Sequence, residues 1–415
     1  MTNATVSIPG RADQRNVLIA TFLGWSLDAF DFLLLTFVLS AVAQEFGRSV
    51  PAVALTLTAT LATRPLGAFV FGLLADRYGR RIPLMVNVLC YSTISVLTGL
   101  APNYTIFFIL RALYGVAMGG QWGVSASLTM ESVAPKWRGV VSGFLQEGYA
   151  FGYLLAAVVY YAVFPVWGWR VMFFIGGLPA ILTIFIFSKV KESEVWKRTR
   201  TDWATYRRSI FANWKIFLYL VLLLMMLDLM GHGTRDLYPT FLAREWNLNP
   251  RAIAVVVAIS MLGALCGGIL FGYLSDRWGR RRAMVAAVLL ALPVIPLWIA
   301  APSLPLIALG AFCMQLLVQG AFGVIPAHTN ELAPKHARGF FPGFAYQLGV
   351  LCASSIGYIQ AVLGEIFTYT VSMGVLAAIL FLTGAVVIWL GPEAKGVAFE
   401  EQPKSEAPLP VGQRA

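Results

Sequence analysis

Gly72-Leu-Leu-Ala-Asp-Arg-Tyr-Gly-Arg-Arg81 returns as Gly272-Tyr-Leu-Ser-Asp-Arg-Trp-Gly-Arg-Arg281, an offset of 200 residues. Glu131-Ser-Val-Ala-Pro-Lys-Trp-Arg-Gly139 returns at the same offset, as Glu331-Leu-Ala-Pro-Lys-His-Ala-Arg-Gly339. Two separate motifs repeated at one spacing imply two related halves. The surrounding sequence is 58% hydrophobic and 12% charged, against about 25% charged in an ordinary soluble domain. Apolar runs of about 20 residues, long enough to cross a bilayer, recur along nearly the whole chain. An all-α membrane protein follows, and a soluble protein with a greasy core does not.

Twelve membrane helices are expected, at about 17–40, 51–74, 82–100, 104–128, 139–163, 170–189, 214–243, 251–274, 283–299, 304–328, 339–361 and 368–390. They divide into two pseudo-symmetric six-helix bundles, 17–189 and 214–390. A polar central loop, 190–213, joins them. Residues 1–16 form an N-terminal tail without the apolar core of a signal peptide. Residues 391–415, rich in Pro, Glu and Lys, are expected to be disordered. Basic residues gather on one side: Arg77, Arg80, Arg81, Lys136, Arg138, the run from Lys189 to Lys215, Arg277, Arg280, Arg281, Arg282, Lys335 and Arg338. The opposite loops hold only Arg48, Arg170, Arg244 and Arg251. This positive-inside bias puts both termini in the cytoplasm of a multi-pass protein of a bacterial inner membrane. It also accounts for the net charge of +11 without a nucleic-acid partner.

Ionisable side chains inside hydrocarbon are costly and mark substrate or ion paths. Asp228-Leu-Met-Gly-His-Gly-Thr-Arg-Asp-Leu-Tyr-Pro-Thr240 carries several. Asp228, His232 and Asp236 recur every four residues and share one helix face. Arg235 lies beside them, Tyr238 follows, and Pro239 is expected to kink or unwind the helix. The first helix carries Asp28 and Asp31, read as proton carriers or as packing acids. Arg64 lies at mid-depth in the second helix, where its donor fork suits a carboxylate; a fixed salt bridge to Asp28 or Asp31 is the other reading. Arg111 is structural or part of proton coupling. Gln121 and Trp122 are placed on the cavity wall. Glu147 titrates or pairs with Arg111. His328 and His336 have weaker claims. Cys90, Cys266, Cys313 and Cys352 are scattered, and no metal or cofactor site is expected.

The repeated Gly-x-x-x-Asp-Arg-x-Gly-Arg-Arg pattern resembles the signature of the major facilitator superfamily over nearly the full chain. The resemblance implies that Asp76, Arg77, Arg80 and Arg81, with Asp276, Arg277, Arg280 and Arg281, latch the cytoplasmic helix ends and gate the transport cycle. The seventh helix resembles the Asn-x-x-Ser-His-Gly-Ser-Gln-Asp-x-x-x-Thr motif of proton-coupled lactate and pyruvate permeases, in the sialate:proton symporter group. His232, Gly233, Asp236 and Thr240 match, with Thr234 replacing Ser. Arg64 is the positional match for an arginine implicated there in transport. Asp228 stands where that group has Asn, Gly231 where it has Ser, and Arg235 where it has Gln. The added charges of Asp228 and Arg235 cancel, and lie about 10 Å apart along the helix axis.

The expected function is a symporter, working as a monomer, that moves a small organic anion inward with protons by alternating access. Lactate or pyruvate is the first substrate expectation. Sialic acid, another sugar acid, or an aromatic or dicarboxylic acid is the alternative; Trp25, Trp122, Tyr149 and Tyr153 suit a sugar. Arg64, Gln121, Trp122, His232, Arg235 and Tyr238 form the expected substrate set. Asp28, Asp31, Glu147, Asp228, His232 and Asp236 form the proton set. Central arginines argue against a cationic-drug exporter, and no large signalling domain supports a sensor. The chain shows no serine triad, metal spacing or phosphate-binding loop, so an enzyme is not expected.

Overall fold

A computed structural model describes residues 10–399 as helices joined by short connectors. Ten segments among these residues are long and apolar enough to cross a bilayer. One of them, Pro135–Lys189, runs for 55 residues. That is about 80 Å of helix, against a hydrocarbon core of about 30 Å. It breaks at Gly168, whose φ of 74° is not helical and which follows Pro165. The break makes two crossings of it. Tyr104–Ser132, with 29 residues, adds another; Arg111, Gln121 and its serines lower its hydropathy. Ten, plus one for the break and one for this helix, gives twelve.

The first span, Arg11–Glu45, starts below the expected boundary at 17. Its extra turn is held by the Lys191–Asp13 ion pair at 3.0 Å and by Asn16 donating to the Lys189 carbonyl at 3.2 Å. The stretch 190–213 is not a plain loop. It contains helices Glu194–Thr199 and Trp203–Ala212, capped by the Ser193 and Asp202 side chains. The disorder expected from 391 is corrected for 391–399, where Ala394 and Phe399 are buried; residues 400–415 lie outside those described. The seventh span runs as Trp214–Arg235, stops at Asp236 and Leu237, and resumes as Tyr238–Arg244. Pro239 sits in the first turn of the second piece, where its missing N–H costs nothing.

The first half has an apolar core of its own, and that of the second half also takes in Trp25 and Trp122 across the seam. The halves meet where the second span (Val50–Tyr78) packs on the eleventh (beginning Phe340–Ala353), and the fifth (beginning Arg138–Gln146) on the eighth (Pro250–Trp278). At the second of these seams a Cβ on Gly143 would sit 2.1 Å from the Gly268 carbonyl oxygen. Backbone therefore touches backbone with no side chain between.

Gly79 and Gly279 both have φ of 103°, which disfavours any side chain. Each also makes room for a carboxylate. Glu192 accepts from the Arg80 and Arg81 N–H groups at 2.8 and 3.1 Å. Glu393 accepts from those of Arg280 and Arg281 at 2.9 and 3.1 Å. Burial pushes the Glu393 carboxyl up, but the N–H groups of Arg280, Lys395 and Ala394 outweigh it and hold the group below the ordinary glutamate range. With a depressed folded value, this cap is present at neutral pH and is lost only as acid titrates the carboxylate.

A Cβ at Gly79 would fall 2.2 Å from the Glu192 carboxylate, whereas Gly47, with φ of 59°, has nothing within 4 Å. Gly79→Ala is therefore expected to lower the melting temperature in detergent by several degrees, as a cost of about 2–3 kcal/mol implies. Gly47→Ala, which strains only the backbone by about 1 kcal/mol, should lower it less. The reverse order in a thermal-shift measurement would refute the cap.

Candidate functional site

The two repeated aspartates reach across the seam. Asp76 accepts from the N–H groups of Gly339 and Phe340 at 2.8 and 3.0 Å, at the start of the eleventh span. Asp276 accepts from those of Gly139 and Val140 at 2.8 and 3.0 Å, near the start of the fifth. A carboxylate suits a helix N-terminus because the exposed N–H groups and the helix dipole favour negative charge there. Arg80 holds Asp76 at 2.6 Å and Glu131 at 2.8 Å. Arg280 holds Asp276 at 2.7 Å and Glu331 at 2.9 Å.

The other arginines of the expected gate do not cross the seam. Arg81 donates to the Phe187 carbonyl, and Arg281 to those of Trp389 and Gly391, in their own halves. Arg77 reaches the Thr201 carbonyl at 3.4 Å, and Arg277 lies over Tyr273.

Beyond this closed end, the residues expected to line a central chamber come within electrostatic reach of one another. Arg64 of the second span and Arg235 of the seventh, from opposite halves, both exert their charge on Tyr149 and Tyr346. Asp228 is in the field of His232, Arg64 and Arg235. His232 Nδ1 is 2.9 Å from Asp236, and Arg235 Nε is 3.5 Å from the same carboxylate. The stripe is thus brought together. The side chains of His232 and Asp236 are 31% and 43% exposed, while Arg64 lies deeper and buried. The floor is the Trp122–Tyr346 stack across the seam, with ring centroids 4.4 Å apart. Among the described residues, the hydrogen bond between the halves farthest from the motif end is Gln347 to the Gly119 carbonyl, at 3.4 Å. The protein is closed at the motif end and unjoined by such bonds at the other.

The acids of the first span have separated roles. Asp31 lies 3.8 Å from Arg111 and accepts from Ser95 at 2.9 Å. Both carboxylate oxygens of Asp28 are buried without a hydrogen-bond partner, and Arg64 is the cation acting on it. Arg64 makes no ion pair within 4 Å with either acid. The pairing of Glu147 with Arg111 is corrected. Glu147 faces the eighth span, packed beside Gly268 with neither carboxylate oxygen hydrogen-bonded.

Three binding assignments also change. Gln121 is fully buried and donates to Ser125 at 3.1 Å. The Trp122 indole donates to Gln146 at 3.0 Å, so Trp122 closes the floor rather than offering a free polar group. Tyr238 donates to the Trp298 carbonyl at 3.0 Å and stacks on Trp298 inside the second half. It bounds a small recess with Arg235, Thr234, Ser260 and Gln315. His328 is fully buried, and His336 Nδ1 lies 2.6 Å from the Thr199 carbonyl.

The family model described as "Sugar (and other) transporter" matches residues 28–213, and "Major Facilitator Superfamily" matches 237–414. A probable 4-methylmuconolactone transporter of Cupriavidus pinatubonensis is 30% identical, over 97% of this chain and 96% of its own. The chain belongs to the major facilitator superfamily. The sialic acid transporter NanX of Escherichia coli is 29% identical, over 81% of this chain and 84% of its own. The solved structure of the proton:xylose symporter XylE bound to 6-bromo-6-deoxy-D-glucose superposes with a TM-score of 0.75 at 16% identity, covering 93% of this chain and 98% of that one. It shares the fold. As a superfamily member the protein is a membrane transporter and not an enzyme.

Sequence reading missed Tyr346, Glu192 and Glu393. Glu131 and Glu331 stood in the quoted repeat, and their recurrence beside Arg138 and Arg338 was the available signal. If Arg64 is the anion anchor, Arg64→Ala should weaken substrate binding by on the order of a hundred-fold, about 3 kcal/mol for a lost buried charge pair. Its melting temperature without substrate should stay close to that of the parent. Titration of intrinsic tryptophan fluorescence reads the first quantity and thermal shift the second; unaltered affinity would remove Arg64 from the site.

Proposed function

We propose that this superfamily member is a proton-coupled symporter for an organic acid, with the motif end in the cytoplasm of a bacterial inner membrane. The observation that carries the reading is the chamber itself. Arg64 and Arg235, from opposite halves, both act electrostatically on Tyr149 and Tyr346, and Asp28, whose carboxylate lacks a hydrogen-bond partner among the described residues, lies in the field of Arg64. A substrate carboxylate on Arg64 neutralises the cation acting on Asp28. A proton on Asp28 then restores the balance of charge. Anion and proton cross together, so the closed chamber encloses no net added charge. Asp31, already held by Arg111 and Ser95, positions the first span against the fourth. Each chain holds a complete chamber, so a monomer suffices.

Among organic acids, the reading favours a molecule larger than lactate or pyruvate. Methylmuconolactone and sialic acid are the named substrates of the two relatives above. Tyr149, Tyr346 and His232 offer such a molecule aromatic faces and polar tips. Arg235 is already engaged by Asp236, so a second carboxylate would have to displace that acid. The distance favours a monocarboxylate with a polar body over a dicarboxylate.

Purified protein in proteoliposomes, given sialic acid, methylmuconolactone, lactate, pyruvate and succinate, tests the substrate class. The first two should compete best. With a 1:1 monocarboxylate cycle, uptake should follow an imposed pH gradient, acid outside, and ignore a membrane potential. A potential supplies about 2.3 kcal/mol per charge per 100 mV only where net charge moves. Uptake that answers the potential and disregards the pH gradient would sink the neutral cycle. Asp28→Asn should abolish gradient-driven accumulation while retaining substrate counterflow, because exchange needs no proton cycle. Full accumulation in this variant would transfer the proton role elsewhere.

A further inference from the structure

Phe399 lies far from the chamber, in a segment that transport by the central site leaves unused. Its ring is sandwiched between two guanidinium groups. The Arg138 Cζ lies 3.4 Å from the ring centroid and the Arg338 Cζ lies 3.9 Å from it. These arginines are the equivalent residues of the two repeats, 200 positions apart, and belong to opposite halves. Arg138 also donates to the Val397 carbonyl at 2.7 Å. Phe399 is 5% exposed and packs among Met130 and Val141 of the first half, Val195 of the central segment and Ala327 of the second half.

The segment is rooted before it crosses. Glu393 accepts from the Arg280 and Arg281 N–H groups, and Lys395 donates to the Arg277 carbonyl at 2.6 Å. Both contacts lie in the second half. From there the chain runs to the midline and sets an aromatic ring between two like charges. Among the described residues, Nε and Nη1 of Arg338 have no hydrogen-bond partner, so the ring face, together with the field of Glu131, compensates that buried cation. Rocking the halves apart at this end would separate Arg138 from Arg338, and one ring cannot stay on both.

The geometry points to residues 393–399 as a strap that locks the motif end shut, with Phe399 as its bolt between Arg138 and Arg338. This rests on the alternating-access reading above. Opening at the motif end requires the bolt to leave at least one arginine, so the strap biases the resting protein toward the state described here.

Spin labels at Tyr78 and Trp278, 58% and 50% exposed at the motif ends of the second and eighth spans, report the separation of the halves by pulsed electron resonance in the full-length protein. Phe399→Ala should lower the ratio of short to long distances about ten-fold. Phe399→Leu, which fills space but offers no ring face, should do nearly the same. Phe399→Tyr should keep the parent distribution, which excludes misfolding as the cause. Asp276→Asn serves as a reference that breaks the latch itself. If Asp276→Asn shifts the distances and Phe399→Ala does not, the strap is refuted and alternating access stands. If Phe399→Leu matches the parent, the arginine–ring contact is refuted. If neither Asp276→Asn nor Phe399→Ala shifts them, the seam is not the moving boundary and both readings fall.

Discussion

Two carboxylates bonded to the bare N–H groups of helices in the opposite half hold the motif end together. Asp76 and Asp276 use backbone donors, so closure depends on where two helices begin and on the rotamer of each aspartate. Behind each aspartate stands a fixed chain of charge: Glu131 orients Arg80, which orients Asp76, and Glu331 does the same through Arg280 for Asp276. Each hydrogen bond to a charged group contributes about 1.5–3 kcal/mol. A handful of them make a closure firm enough to populate one state and weak enough for substrate and proton to undo.

The same low-dielectric logic sorts the interior. The buried Asp31 is paired with Arg111 inside the first half, whereas the Glu45–Arg170 pair near the far end is partly exposed. Charges with incomplete pairing occur at the chamber, and also at Glu147 beside the eighth span and at Arg338 under Phe399. Among the described residues, Arg64 has no ion pair within 4 Å, the Asp28 carboxylate accepts no hydrogen bond, and one oxygen of Asp228 has none. Burying a charge without a partner costs several kcal/mol. Such residues persist where a ligand or proton supplies the missing partner during part of a cycle.

Much of this was written in the repeats. The offset between the Gly72 and Gly272 motifs announces two halves, and Pro239 announces the broken seventh span. The Asp228, His232 and Asp236 spacing places those three on one face, as the structure has them. What sequence could not supply was the rotation of each helix about its own axis. In a soluble helix the polar side marks the exposed face. In a membrane span both faces are apolar, so Trp122 and Tyr238 gave no sign of which way they turn. Their indole and hydroxyl were spent on Gln146 and the Trp298 carbonyl, partners remote in sequence. The Glu147–Arg111 pairing failed for the same reason: a fifth-span acid can face the first half's core or the other half, and only packing decides. Phe399 was hidden by its surroundings, since a single aromatic in a polar tail carries no periodicity.

The glycine contact between the fifth and eighth spans bears on how often the molecule can cycle. Where Gly143 meets the Gly268 carbonyl there is no side chain to withdraw, and the neighbouring Glu147 and Ser142 are the side chains that must move when the spans separate. Little apolar area is wetted there on parting, and at about 25 cal/mol per Å² little free energy is at stake. A hinge line of this kind behaves like a smooth bearing. It lets the energy gap between the two shapes be set by the polar latches at one end and by the occupant of the chamber, and not by friction along the contact.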